Sequence, residues 1–315
     1  MLRLILKRQW FPDVIKKWLV EFSARLSVPL IKLGLRRKTT FDIWEHHGIH
    51  VMPTHFYSPI PDTRTLRYKY PGKYEMPGVD LQLDQQLVLL NEHLVKFKDE
   101  YNKFDLEKTA DDRFFLRNPM FSGIDPHIYH CMIRHFKPNR IVEVGSGYST
   151  LVAAAAAALN TPQPSIYAIE PYPSPMLRNG IQGVELMENK VEALDVGFFS
   201  ELQANDILFI DSSHIIKVGG DVWYLFFEII PRLKRGVVVH IHDIFFPYHY
   251  LETFVFETHR FWNEQYLLHA YLMGNQNVSI LAASHALADT FPNEMRNLFP
   301  NAEYIESGSF WFQIQ

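Results

Sequence analysis

The sequence predicts an α/β protein built on a doubly wound, mostly parallel sheet, with an N-terminal helical and irregular extension ahead of it. Three observations carry this. From about residue 124, short runs of apolar and β-branched residues alternate with helical patterns, the rhythm of a parallel sheet covered on both faces. A glycine- and serine-bearing turn, VEVGSGYST, stands between the first run and the next helix. Six alanines, Ala153–Ala158, follow it, and such small residues let a crossover helix sit close on a sheet.

The elements follow in order. DPHIYHCMIRHF reads as a helix with Asp125 as its N-cap and Pro126 in first position. RIVEV (140–144), SIYAIE (165–170), GVELM (183–187), DILFID (206–211) and VVVHIHD (237–243) read as strands. VGGDVWYLFFEIIPRL between the last two reads as a long amphipathic helix, and a helix rich in aromatics is expected from about Tyr250 to Met273. NVSILAAS (277–284) and SFWFQIQ (309–315) close the chain as strands. They lack a full helix between them, so the terminal strand is free to insert antiparallel.

The preceding residues differ in character. Residues 1–40 carry ten Lys/Arg against Asp13 and Glu21, a charge of +8, which leaves −12 for the remainder of a chain whose net charge is −4. Phe11, Val14, Ile15, Trp18, Leu19, Phe22 and Leu26 recur at helical spacing. Pro12 suits the first turn and Pro29 is expected to limit the far end. A basic amphipathic helix suits a peripheral contact with an anionic membrane surface, or docking on the domain that follows; both readings stay open. Residues 41–118 form the rest of the extension. In it, His50–Asp62 (HVMPTHFYSPIPD) is either a lid over a site or a structural arm, and residues 81–108 carry a helical pattern. Residues 119–315 are the sheet domain.

Composition excludes several classes. The single cysteine, Cys131, rules out a disulfide scaffold and leaves no cysteine set for zinc. It fits a cytoplasmic protein. No run of apolar residues is long enough to span a bilayer, and the net charge gives no reason to expect nucleic acid as partner.

The turn is the most informative stretch. Gly145 and Gly147 allow close approach of a ligand to the backbone, and the N–H groups of the following helix start face that ligand. Glu170 stands at the end of the next strand, where a carboxylate can accept both hydroxyls of a ribose. Thr150 occupies the third glycine position of a dinucleotide fingerprint, which argues against a nicotinamide oxidoreductase.

VEVGSGYST, AIEP, DILFIDSSH and PRLKRGVVVHIHD, in this order and spacing, resemble a class I S-adenosylmethionine-dependent methyltransferase, more narrowly the branch called methyltransferase domain 24. The resemblance covers residues 120–285 and the closing strand. It implies a Rossmann-like sheet of seven strands with the last reversed, S-adenosylmethionine at the strand ends, and methyl transfer. It also implies that Glu143, Gly145, Ser146, Gly147 and Ser149 hold the methionine part, Glu170 the ribose and Asn189 the adenine, with Asp211 lining the same site.

Asp211 and Asp243 end neighbouring strands, and His214 and His242 stand beside them. Two chemistries remain open. Asp211 and Asp243 match positions where catechol-type relatives hold a divalent metal ion, although Ile244 replaces a further ligand. Alternatively His214, His242 and Asp243 serve metal-free base catalysis on an acceptor hydroxyl, histidine titrating near neutrality. His240, deeper in the strand, is expected to be a buried neutral ring. The expected reaction is O-methylation of a small-molecule or glycan hydroxyl. Rivals are a metal-dependent hydrolase built on His-x-His-Asp and a non-catalytic nucleoside-binding protein.

Overall fold

The computed structural model describes residues 13–35, 37–67, 70, 72–109 and 113–315. Phe11, Pro12 and Arg36, together with Arg3, Lys7 and Arg8 of the basic segment, lie outside the described residues. The chain divides into two compact units, Met1–Lys69 and Tyr70–Gln315, so residues 70–118 belong with the sheet.

In the first unit, helix α1 spans Asp13–Gly34. It runs through Pro29, which was expected to limit it. A proline removes one helical hydrogen bond, and the flanking turns keep theirs. Asp62 caps the short helix Thr63–Leu66, accepting from the backbone N–H of Arg64 at 3.1 Å. His50 pairs with Glu45 at 3.1 Å within the same unit.

The second unit holds seven strands: β1 Arg140–Val144, β2 Ser165–Ile169, β3 Val184–Met187, β4 Ile207–Ile210, β5 Val238–Ile241, β6 Val278–Ala283 and β7 Phe310–Ile314. Their order is β3-β2-β1-β4-β5-β7-β6. β1 to β5 pair in parallel, and β7 runs antiparallel to both β5 and β6. The sheet is the Rossmann-like, seven-stranded one with a reversed last strand. β4 and β5 are buried along their whole length, which is why ILFI and VVHI read as continuous apolar runs.

Alternation splits the sheet's side chains between two cores. Ile141, Ile207, Phe209 and Val238 pack with helix α2 (Asp125–Phe136), helix α3 (Tyr148–Ala157) and Leu90 and Leu94 of the preceding segment. Val142, Leu208, Ile210, Val239 and Ile241 pack with Val222, Leu225 and Ile229 of the helical run that opens as α4 (Asp221–Tyr224), and with Leu268 of α5 (Glu264–Leu272). Cys131 is buried in α2, and its Sγ donates to the Leu94 carbonyl at 3.6 Å.

Two local expectations change. Ile124, not Asp125, is the N-cap of α2, and the Asp125 carboxyl turns toward the exit of β5. The aromatic segment is two helices, Glu252–Phe256 and α5, parted by an irregular stretch that contains His259 at φ +54°. The backbone N–H groups of Asn263 and Glu264 bond to the His214 carbonyl at 3.0 and 3.2 Å instead of continuing a helix. That detour positions the site.

Candidate functional site

A cleft of about 990 Å³ opens beyond the carboxyl ends of β1, β2, β4 and β5, lined by Gly145–Ser149, Glu170, Asp211–His214, His242 and Asp243. It continues into a second hollow of about 420 Å³ that shares Gly145, Glu170, Asp211 and Ser212 and adds Lys190–Glu192. Ligands of open α/β sheets bind in such crevices at the strand ends.

The turn after β1 is shaped for close approach. Gly145 sits at φ +81°, and a Cβ there would lie 1.7 Å from the Asp211 carbonyl oxygen. Only glycine lets β1 and β4 part so tightly. A Cβ on Gly147 would meet nothing within 4 Å, because it would enter the cleft itself. The hydroxyl oxygens of Ser146 and Ser212 are buried without a partner, which is costly unless a ligand completes them. Glu170 accepts from the backbone N–H of Tyr172 at 2.8 Å and of Ser146 at 3.4 Å, leaving lone pairs toward the cleft. These features fit a nucleoside ligand with a polar tail.

Glu143 does not line the cleft. It is 0% exposed and accepts from the Tyr129 hydroxyl at 2.9 Å. Burial pushes its carboxyl up to about 7, against hydrogen bonds from Thr150, Tyr129 and Ser149. It braces the helix start from behind. Ser149 is buried at the start of α3 and borders the cleft. Asn189 is exposed, one residue before the lining stretch Lys190–Glu192.

At the other end, two histidines face two carboxylates. His214 Nε2 lies 3.3 Å from Asp211 Oδ1 and 3.4 Å from Asp243 Oδ2, while its Nδ1 lies 3.0 Å from Glu264 Oε2. His242 repeats the arrangement. Its Nδ1 lies 3.8 Å from Asp211 and 3.7 Å from Asp243, and its Nε2 meets Asp125 at 3.2 Å. Asp125 is held in turn by the Ser307 hydroxyl and by the backbone N–H of Gly308 at 3.0 Å.

Strained backbone holds these groups. His214 and Asp243 both adopt positive φ, +58° and +56°. Such conformations persist only where the surroundings over-determine them. Asp221, at the start of α4, fixes the loop ahead of His214 by accepting from Ser213 N and Oγ at 2.8 and 2.6 Å. Asn263 fixes it behind, its Oδ1 accepting from Ile216 N at 2.7 Å. The Trp262 ring covers His214 at 4.3 Å between centroids.

The electrostatics follow from crowding. Burial opposes charge on His242, yet Asp211, Asp125 and Asp243 outweigh it and hold the ring up to about 10. Burial opposes charge on His214 too, and Asp211 and Glu264 raise it well above the ordinary value. Burial pushes Asp243 and Glu264 up. His240 is the exception: fully buried, pushed well below the usual histidine range by desolvation and by His242, it shares a hydrogen bond with Ser309 at 2.9 Å and stacks on Phe209 at 4.0 Å.

One ligand atom each from Asp211, His214 and Asp243 lies within 4.8 Å of the others. Atoms bonded to one ion at about 2.1 Å are themselves roughly 3.0–3.4 Å apart, the observed His–Asp spacing. Glu264 behind Nδ1 fixes His214 with Nε2 facing the carboxylates, the usual support of a metal-bound imidazole. The donor set therefore fits a divalent ion.

Asp125 and Glu264 were missed by sequence reasoning. Asp125 resembled a helix cap, and Glu264 fell in the middle of the helix expected from Tyr250 to Met273; neither pattern reveals a partner 117 or 50 residues away.

Residues 142–244 match the methyltransferase domain family Methyltransf_24. An uncharacterized protein of Archaeoglobus fulgidus is 34% identical over 169 residues, covering 49% of this chain and 75% of that protein. A crystal structure of the SAH-bound methyltransferase PaMTH1 of Podospora anserina aligns with a TM-score of 0.40 and 15% identity over 85% of this chain and 99% of that one. The family match runs from β1 to just beyond Asp243 and so encloses the glycine turn, Glu170, Asp211, His214 and His242. The chain belongs to the class I S-adenosylmethionine-dependent methyltransferases, and S-adenosylmethionine is its cofactor.

Proposed function

We propose that the protein methylates a hydroxyl of a small-molecule or saccharide acceptor, with a divalent ion held by Asp211, His214 and Asp243. The observation that carries this is the convergence of those three donors at the mouth of the cleft, beside the glycine turn. Bound there, the ion supplies a Lewis acid that fixes the acceptor oxygen and lowers its pKa. The His nitrogen in the shell favours manganese, iron or zinc over magnesium.

Gly145, Ser146, Gly147 and Ser149 hold the methionine part of the cofactor, and Glu170 the ribose diol. Lys190–Glu192, next to Asn189, border the adenine. The acceptor oxygen takes the methyl from the sulfonium sulfur, so a C–O bond forms as the C–S bond breaks. Its proton goes to His242 Nδ1, which Asp125 aims from behind by accepting at Nε2. An ion held by Asp211 and Asp243 would offset two of the three carboxylates that raise this ring, Asp125 being the third, and would so lower the hold of Nδ1 on its proton.

Phe121, Phe254 and Trp262 wall the acceptor side, and flat apolar walls suit a sugar or aromatic face. Arg260 lies over the Phe254 and Trp262 rings at 4.9 and 5.2 Å. Its guanidinium favours acceptors with a negative group near the reacting hydroxyl. Incubation with methyl-labelled cofactor and fractionated small-molecule extracts, with and without chelator, tests the reading. Label in a hydroxyl-bearing product, lost on chelation and restored by manganese, supports it. Label on nitrogen or sulfur only would refute it.

A further inference from the structure

We propose that α1 lies in the plane of an anionic membrane surface. At 100° per residue, Ile15, Trp18, Phe22, Leu26, Leu30 and Leu33 fall on one arc of the helix. No residue of α1 is buried, and these side chains stand open to solvent: Trp18 is 59% exposed, Leu26 62%, Leu30 72% and Leu33 69%. An apolar stripe from Ile15 to Leu33, about 28 Å of helix, is far more than the scattered apolar exposure of ordinary surfaces. Trp18 and Phe22 stack within the stripe at 5.2 Å, and aromatic rings favour the headgroup boundary.

Charge selects the occupant. Lys16, Lys17, Arg25 and Lys32 lie off the stripe, and residues 1–40 carry +8 while the remainder carries −12. A second copy of residues 1–40 would bring +8 against +8, α1 itself contributing Lys16, Lys17, Arg25 and Lys32 against Asp13 and Glu21. A surface of anionic lipid offers both the apolar phase and the opposite charge. No described helix is long and apolar enough to cross a membrane, so the contact is peripheral.

The test is flotation of the full-length protein with vesicles of phosphatidylcholine alone or mixed with phosphatidylglycerol. We expect binding to the mixed vesicles to exceed that to neutral ones by at least about tenfold, and to fall as salt rises. Phe22→Glu is expected to lower vesicle binding by about tenfold or more while S-adenosylmethionine affinity in calorimetry stays unchanged. Absence of binding, or equal binding to both vesicle types, would overturn the proposal. So would concentration-dependent self-association in light scattering that Phe22→Glu abolishes without any vesicle binding in the parent protein.

Discussion

Glu264 Oε2 lies 3.0 Å from His214 Nδ1, and the carboxylate is 0% exposed. A buried acid at the first turn of α5 thereby decides which nitrogen of His214 faces Asp211 and Asp243. Glu264→Gln keeps the volume and one hydrogen bond but removes the charge. We expect manganese or zinc affinity to fall about 10–100-fold in calorimetry, with cofactor affinity retained. Unchanged metal affinity would show that Glu264 only packs.

The two glycines of the turn should fail differently. Gly145→Ala forces a side chain onto the Asp211 carbonyl at a left-handed φ, so thermal unfolding should report a loss of at least about 2 kcal/mol. Gly147→Val places its side chain in the open cleft. It should leave the unfolding midpoint near that of the parent and abolish S-adenosylmethionine binding. Retained affinity in Gly147→Val would contradict the seating of the cofactor on this turn.

Glu143 gives a pH signature. Its carboxyl rises from 4.5 unfolded to about 7 folded, so the folded state holds the proton more tightly. The protonated form stabilises the fold below pH 4.5, and that contribution is lost as pH rises toward 7. Glu143→Gln should remove this slope, on the order of 3 kcal/mol across the window, in urea unfolding compared at pH 5 and pH 8. A parallel pH dependence in parent and variant would place the titration elsewhere.

Arg260 separates binding from chemistry. Arg260→Ala should raise KM for an acceptor bearing a carboxylate or phosphate by about tenfold and leave KM for S-adenosylmethionine unchanged. An equal loss on a neutral acceptor would mean that Arg260 supports the Phe254–Trp262 wall rather than reading charge.

The sheet was legible because its signals are local. VEVGSGYST, DILFID and VVVHIHD each announce a buried strand with a polar end, and parallel order then brings Asp211 beside Asp243. The expectation that β7 would run antiparallel holds in the structure, but the ground for it does not: two short helices, Ser284–Thr290 and Pro292–Leu298, stand between β6 and β7 where none was expected. What stayed hidden depends on distant partners. Asp125 has the sequence context of a cap, yet its carboxyl is taken by His242, Ser307 and Gly308. The break between Glu252–Phe256 and α5 is drawn by backbone bonds to His214, so aromatic periodicity alone carried the helix too far. His242 and His240 share one face of β5 two residues apart. Only depth separates a neutral ring on Ser309 from one facing two carboxylates.

We propose methyl transfer at a metal-holding cluster. Its most direct test is the rate of label transfer from S-adenosylmethionine to acceptor, measured for parent protein and Asp243→Ala, each with and without chelator. We expect transfer by the parent to fall at least about tenfold on chelation and to return with a divalent ion. Asp243→Ala should be slow in every condition while binding the cofactor as tightly as the parent does. Equal rates in parent and variant, indifferent to chelator, would contradict the account.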